Sequence, residues 1–301
     1  MVNEIEILLQ NQIQTWPRLA RGIQGLAKAQ TRAVRIDWFD VFIRHIPHRA
    51  GSTTAAVDAE SIARRPCFLC SGNLDPEEQG IPFGKDYIIY FNPFPIVDHH
   101  LSIVHREHGL QHIAGEFGNM LDLAVALPAY FVIYNGPQCG ASAPDHMHFQ
   151  AGSRVLFPIE KDTAHIRGIT VPGYARNVFV FRDSDRARLI DKLDRAVELL
   201  AEATGKRPEP LMNIAAFHQN REWTVYLFPR SKHRPNVYYT GELTVSPGTI
   251  DLCGIFVAPF EKDFARISAQ DITAVFKEVT LPDDVVPVSY THLTLPTNRE
   301  V

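Results

Sequence analysis

The chain has 301 residues, 45% of them hydrophobic, enough to bury a substantial core as one large domain or two small ones. Its formal charge of -4 comes without any Lys/Arg block, which argues against nucleic acid or an anionic membrane as partner. Four cysteines in so long a chain do not make a disulfide framework, and no apolar run approaches membrane length; the sequence reads as a cytoplasmic protein.

In chain order, Ile5, Leu8, Leu9, Ile13 and Trp16 fall at helical spacing before Pro17, and a second short helix is expected over Leu19–Ala29. Val34–Ile46, rich in β-branched and aromatic residues, predicts a strand that delivers the turn I-P-H-R-A-G with His48 and Arg49. A polar connection follows, ending in R-R-P-C-F-L-C-S-G-N-L, where Cys67 and Cys70 are two residues apart. Tyr87–Phe91 and Leu101–Val104 predict a hairpin. Ile113, Phe117, Met120, Ala124 and Leu127 predict a helix between His108 and Tyr130.

Next come a strand at 130–134, a turn rich in Gly, Pro and Ser, and a strand at 146–151 that reads H-M-H-F-Q-A. The second half predicts a strand at Val178–Phe181, a helix capped by Asp183 or Ser184 and stopped by Gly205, then strands at Met212–Phe217 and Trp223–Phe228. A strand at Gly254–Val257 and a helix from Ser268 to about Val279 follow. Strand, helix, strand, turn, strand thus occurs twice, the order expected of two copies of one α+β unit. The expected boundaries are 1–168 for the first half and 169–285 for the second. Residues 286–301 continue no periodicity and read as a non-native tail.

Alternate residues of a strand share a face, so His146, His148 and Gln150 are expected on one side and Met147 and Phe149 in the core. Histidines two apart lie roughly 6.6 Å from each other, far enough for different jobs. Such a pair can give two ligands to one metal, one ligand and one nucleophile, or two hydrogen-bonded core histidines. The glycine-rich turn, the Ser142 hydroxyl and the Gln150 amide surround the pair with donors that suit a phosphoryl group. The C-x-x-C is followed by Ser-Gly-Asn rather than by a helix, which fits a zinc knuckle better than a redox pair and requires two further ligands from the histidines.

These residues carry a resemblance. R-P-C-F-L-C-S-G-N-L resembles the zinc-binding segment of galactose-1-phosphate uridylyltransferases, and I-P-H-R-A their arginine-bearing turn. N-G-P-Q-C-G-A-S-A-P-D-H-M-H-F-Q resembles their active-site segment and that of diadenosine tetraphosphate phosphorylases. M-N-I-A-A-F-H-Q-N-R-E-W-T-V-Y-L-F-P-R is similar to a second segment of those phosphorylases, and H-F-Q-A resembles GDP-hexose phosphorylases. The similarity spans roughly residues 34–235 and identifies the nucleotidyltransferase branch of the histidine-triad superfamily.

The resemblance implies an α+β fold of two tandem repeats, with antiparallel sheets and flanking helices. It implies a nucleotidyltransferase or phosphorylase of nucleotide sugars or dinucleoside polyphosphates, acting through a nucleotidyl-histidine. His148 would be the nucleophile, with Gln150 and Ser142 as donors to the phosphoryl group. Asn135, Gly140, Arg49 and Arg230 would contact substrate. A structural zinc would be held by Cys67, Cys70, His146 and His108, with His105 as second choice for the last. Asp145 departs from the family pattern as an extra residue between Pro144 and His146. No catalytic magnesium site is evident, and a homodimer is left open. Two other classes remain: a nucleotide-binding protein without turnover, and a metalloenzyme with His146 and His148 on one metal.

Overall fold

In the computed structural model of this chain the described residues are 1–163, 165, 166, 173–282 and 285; the expected tail, with His292, lies outside them. Eleven strands among these residues form two sheets. They are β1 (Gln30–Ile36), β2 (Phe39–His45), β3 (Ile81–Phe83), β4 (Tyr87–Phe91), β5 (Leu101–His105), β6 (Tyr130–Asn135), β7 (His148–Ser153), β8 (Phe179–Asp183), β9 (Met212–Gln219), β10 (Glu222–Pro229) and β11 (Ile255–Ala258). The larger sheet runs β3-β4-β5-β7-β6-β9-β10-β8 and the smaller β1-β2-β11.

The order of the large sheet explains the repeat seen in the sequence. Strand β5, the helix Phe117–Ala126, β6 and β7 have a counterpart in β8, the helix Arg186–Thr204, β9 and β10. Read outward from the centre, one side is β6-β7-β5 and the other β9-β10-β8, and antiparallel pairing of β6 with β9 joins them. The sheet is therefore continuous through both halves. All its pairings are antiparallel, whereas β11 pairs parallel to β2, so the smaller sheet departs from the expected purely antiparallel pattern.

Side-chain alternation sorts the large sheet into two cores. Val132, Tyr134, Met147, Phe149, Ile214 and Ala216 pack with Met120, Leu123, Leu193 and Leu200 of the two helices, and Ile5 and Trp16 close the same layer. Phe131, Ile133, Ala215 and Phe217 face the other way, onto Val41, Ile43, Ile255 and Phe276 beneath the small sheet. Each fully buried aromatic or aliphatic side chain in these layers contributes about 1.5–3 kcal/mol. His148 and Gln150, between Met147, Phe149 and Ala151 in register, face the second layer.

Four local expectations change. Val34–Ile46 is a hairpin of β1 and β2 rather than one strand, because Asp37 takes φ 53° and turns the chain at Asp37–Trp38. The helix before β6 is confined to Phe117–Ala126: Gly115 has φ 81°, and the preceding segment gives its backbone to the turn, Met147 N–H donating to Gly109 and Gln111 N–H to Pro144. Strand β7 begins at His148, so His146 lies in the bend before it. The helix Arg186–Thr204 is capped by Asp185, one residue past the expected caps, and Gly205 ends it with φ 63° as expected. No helix among the described residues is long and apolar enough to cross a membrane.

Candidate active site

The turn between β6 and β7 is held by both halves of the chain. Gly136 N–H donates to Met212, Cys139 N–H to Gly136 and His146 N–H to Ala143. Gly140 has φ 100°, and a Cβ there would stand 2.9 Å from the Cα of Gly248, so two glycines let the turn lie against the second half. The amides of Gly140, Ala141 and Ser142 donate to no group among the described residues.

Beside this turn four side chains converge. One ligand atom each from Cys67, Cys70, His108 and His146 lies within 4.8 Å of all the others. Cys67 Sγ is 3.4 Å and Cys70 Sγ 3.6 Å from His146 Nδ1, and Cys70 Sγ is 3.3 Å from His108 Nδ1. A tetrahedral zinc with ordinary Zn–S and Zn–N bonds would space such atoms by about 3.5 Å. His146 Nε2 donates to the carbonyl of His105 at 2.7 Å, which leaves Nδ1 free of a proton and aimed at the thiols. The His105 ring meets the backbone of Glu107 instead. Asn73 Nδ2 braces the knuckle by donating to Cys67 O. The extra Asp145 is taken up by Arg65 at 2.7 Å and does not keep His146 from the group. The group can hold a metal ion.

His148 stands apart from that cluster. Its Nδ1 donates to the carbonyl of His146 at 2.8 Å, which fixes the tautomer and leaves Nε2 bare, with no partner among the described residues. Burial pushes its pKa down to about 4, so the ring is neutral near pH 7. Its cross-strand partner is Val104, and that of Gln150 is Ser102. Both partners line a cavity of about 480 Å³, whose wall also includes His48, Arg49, Ser52, Phe68, Tyr90 and Ser142. His148 and Gln150 are not themselves in its wall; cross-strand neighbours share a face of the sheet, so the cavity adjoins the face that carries them.

Two residues whose part in the site the sequence did not reveal hold this face in place. Gln111, 1% exposed, fills the gap where β6 and β7 part. Its Nε2 donates to Asn135 O and His148 O, both at 3.0 Å, and its Oε1 accepts from His148 N–H at 2.8 Å. His100 accepts the Ile96 N–H on Nδ1, so its Nε2 carries the proton and donates to Gln150 Oε1 at 2.8 Å. The Gln150 amide nitrogen is thereby turned away from His100. Burial, reinforced by Arg49, pushes the His100 pKa down to about 3 and keeps that ring neutral. Neither residue belongs to a motif or a periodic run.

Of the other expected contacts, Ser142 and Arg49 line the large cavity and, with Gly140, a smaller one beside it. Asn135 and Arg230 line neither. Asn135 Oδ1 accepts from Asn213 Nδ2, Thr249 N–H and Thr249 Oγ1 at the junction of the halves. Arg230, 1% exposed, donates to the carbonyls of Val279, Pro247, Lys232 and His233 and to Asn213 Oδ1, which occupies its guanidinium.

Residues 8–153 match a family described as a domain of unknown function, DUF4922, and residues 153–285 match one described as GDPGP1-like, C-terminal domain. No curated protein matches the chain in sequence. Its fold is similar to the crystal structure of yeast Ap4A phosphorylase Apa2, with a TM-score of 0.61 at 15% identity over 91% of this chain and 97% of that one. The complexes of that enzyme with AMP and with Ap4A match at TM-scores of 0.59 and 0.54, each at 14% identity, over 89% and 91% of this chain and 97% of theirs. The likeness to the yeast enzyme is one of fold. With the C-terminal family match, it bears out the resemblance to the nucleotidyltransferase branch of the histidine-triad superfamily.

Proposed function

We propose that this chain, which has the fold of an Ap4A phosphorylase and a GDPGP1-like C-terminal half, is a nucleotidyltransferase or phosphorylase of nucleoside diphosphate derivatives. The observation that carries the reading is His148: a neutral imidazole with Nδ1 tied to a backbone carbonyl and Nε2 bare, on the sheet face beneath a cavity of nucleotide size. In the first step Nε2 attacks the α-phosphorus. A P–N bond forms, the P–O bond to the rest of the substrate breaks, and the electron pair leaves with that phosphoryl group. In the second step an oxygen of the acceptor bonds to the α-phosphorus and the P–N pair returns to Nε2. The Gln150 amide, the Ser142 hydroxyl and the free turn amides stabilise the charge on the phosphoryl oxygens, each well-placed donor contributing about 3 kcal/mol.

The metal in this reading is zinc, held by Cys67, Cys70, His108 and His146, and its contribution is structural. It fixes His146, whose carbonyl orients the nucleophile. The alternative with His146 and His148 on one metal is disfavoured, because the His146 ring turns to the cysteines while the His148 Nδ1 is already bonded to His146 O.

The direct test is turnover of a panel of nucleotide sugars and dinucleoside polyphosphates with phosphate, water or a sugar phosphate as acceptor. A nucleoside diphosphate made only when phosphate is present supports a phosphorylase, and a new nucleotide sugar made with sugar phosphate supports a transferase. Tight nucleotide binding without turnover of any pair would leave only a binding protein.

A further inference from the structure

Glu209 belongs to the second half, between the helix Arg186–Thr204 and β9, and lines neither of the two cavities. Its side chain is 4% exposed. Among the described residues only His112 comes within ion-pair distance, at 4.0 Å, through an Nε2 that is buried without a hydrogen-bond partner. Burial pushes the Glu209 carboxyl up from its ordinary range, and the bonds from Ile113 and Tyr134 pull it partly back. An acid buried this far from a cation must be satisfied by hydrogen bonds, and both of these come from the first half. Oε2 accepts the Ile113 N–H and Oε1 the Tyr134 hydroxyl, each at 2.6 Å.

These two donors flank the bonds that Gln111 makes. Ile113 is two residues past Gln111, and Tyr134 directly precedes Asn135, whose carbonyl accepts from Gln111 Nε2. The carboxylate and the Gln111 amide therefore close a ring, from Glu209 to Ile113, back to Gln111, across to Asn135 and through Tyr134 to Glu209 again. His148 is fastened to that ring by its own N–H and carbonyl, both bonded to Gln111. The Tyr134 ring also meets Phe149, the residue after His148, edge-on, with centroids 6.2 Å apart. The halves come this close because residue 136 is glycine: a Cβ there would stand 2.8 Å from Met212 O and 3.6 Å from Glu209 Oε1.

We propose that Glu209 is a positioning residue, a carboxylate of the second half that fixes the proposed nucleophile of the first by holding, at Ile113 and Tyr134, the two segments that Gln111 joins to it. Its effect on turnover rests on the nucleotidyl-transfer reading. Its effect on the backbone of His148 does not.

The test pairs hydrogen exchange at single amides of the metal-loaded protein with steady-state kinetics on Ap4A or a GDP-hexose, phosphate being the acceptor. Glu209→Leu removes both acceptors. It is expected to lower kcat about ten-fold or more with KM within about two-fold, the signature of misalignment rather than lost binding. It is also expected to speed exchange of the His148 amide by about ten-fold or more, while mid-helix amides of Arg186–Thr204 speed up far less. Because that variant leaves two buried donors unpaired, Glu209→Gln and Tyr134→Phe serve beside it. Glutamine keeps an oxygen for the Ile113 N–H and gains an amide that donates to Tyr134 Oη, so it is expected to recover most of the loss in both readouts. Tyr134→Phe breaks one bond of the two and is expected to fall between Glu209→Leu and wild type. Equal speeding at His148 and in the helix, or wild-type kcat and His148 exchange in Glu209→Leu, makes Glu209 merely structural and overturns the proposal. Wild type that turns over neither substrate, with the His148 amide still loosened in Glu209→Leu, counts against the transfer reading and keeps the positioning role.

Discussion

At the residue scale the candidate site depends on single hydrogen bonds that decide which atom of a ring or amide is free. His146 O settles the tautomer of His148, and His100 holds the oxygen end of the Gln150 amide and leaves its nitrogen turned away. Gln111 does the same for the backbone, replacing the ladder that β6 and β7 lose at their parting with three bonds from one buried side chain. Replacing it by leucine leaves two carbonyls and an N–H buried without partners, which costs about 2–4 kcal/mol. Since the group it positions is the proposed nucleophile, Gln111→Leu is expected to lower kcat by about 10- to 100-fold with little change in KM. Steady-state kinetics together with a denaturation curve separates the two effects. A variant that is destabilised but keeps wild-type kcat would make Gln111 merely structural.

At the scale of elements, the knuckle at Cys67–Asn73 and the turn before β7 are two loops with no regular ladder between them. They are joined by the Cys67, Cys70, His108 and His146 group and by the Arg65–Asp145 pair. Removing the metal, or replacing Cys70 by serine, should therefore free both loops and lower Tm by about 3 °C or more, the shift that roughly 2 kcal/mol makes in a chain of this size. Metal analysis beside a thermal scan checks this; a metal-free wild type with unchanged Tm contradicts it. The group itself was legible because cysteines two apart and a patterned H-x-H are chemical signals that survive in one dimension. So were the strand–helix–strand–strand repeats, whose periods are long and regular. The turn at Asp37–Trp38 was not legible, since it lacks the Asn-Gly or Asp-Gly pair that usually marks a two-residue hairpin. Gln111 and His100 were invisible for a different reason: each acts through a partner 37 or 50 residues away, and no local pattern encodes such a contact. Arg230 and Arg234 show the same limit. Spacing alone does not show that Arg230 spends its whole guanidinium on buried acceptors, whereas Arg234, tied to the carbonyls of Thr53 and Ala55, also lines a cavity.

For the whole molecule, β6 against β9 and β11 against β2 draw the two halves into shared sheets, and both cavities lie on one side of the large one. The first half brings the metal group, His148 and Gln150; the second brings Arg234 and the Gly248 that receives the turn. The repeat that lacks its own H-x-H thus forms part of the wall around the repeat that has one. The proposed nucleotidyl transfer rests on a covalent bond at a single nitrogen, His148 Nε2. The most direct measurement is mass spectrometry of the protein quenched after exposure to an α-phosphate-labelled nucleotide substrate without acceptor. The account expects one nucleotidyl group per active chain on the peptide containing His148, discharged when acceptor is added and missing from His148→Gly protein. Label on another residue, or undiminished turnover by His148→Gly, would contradict it.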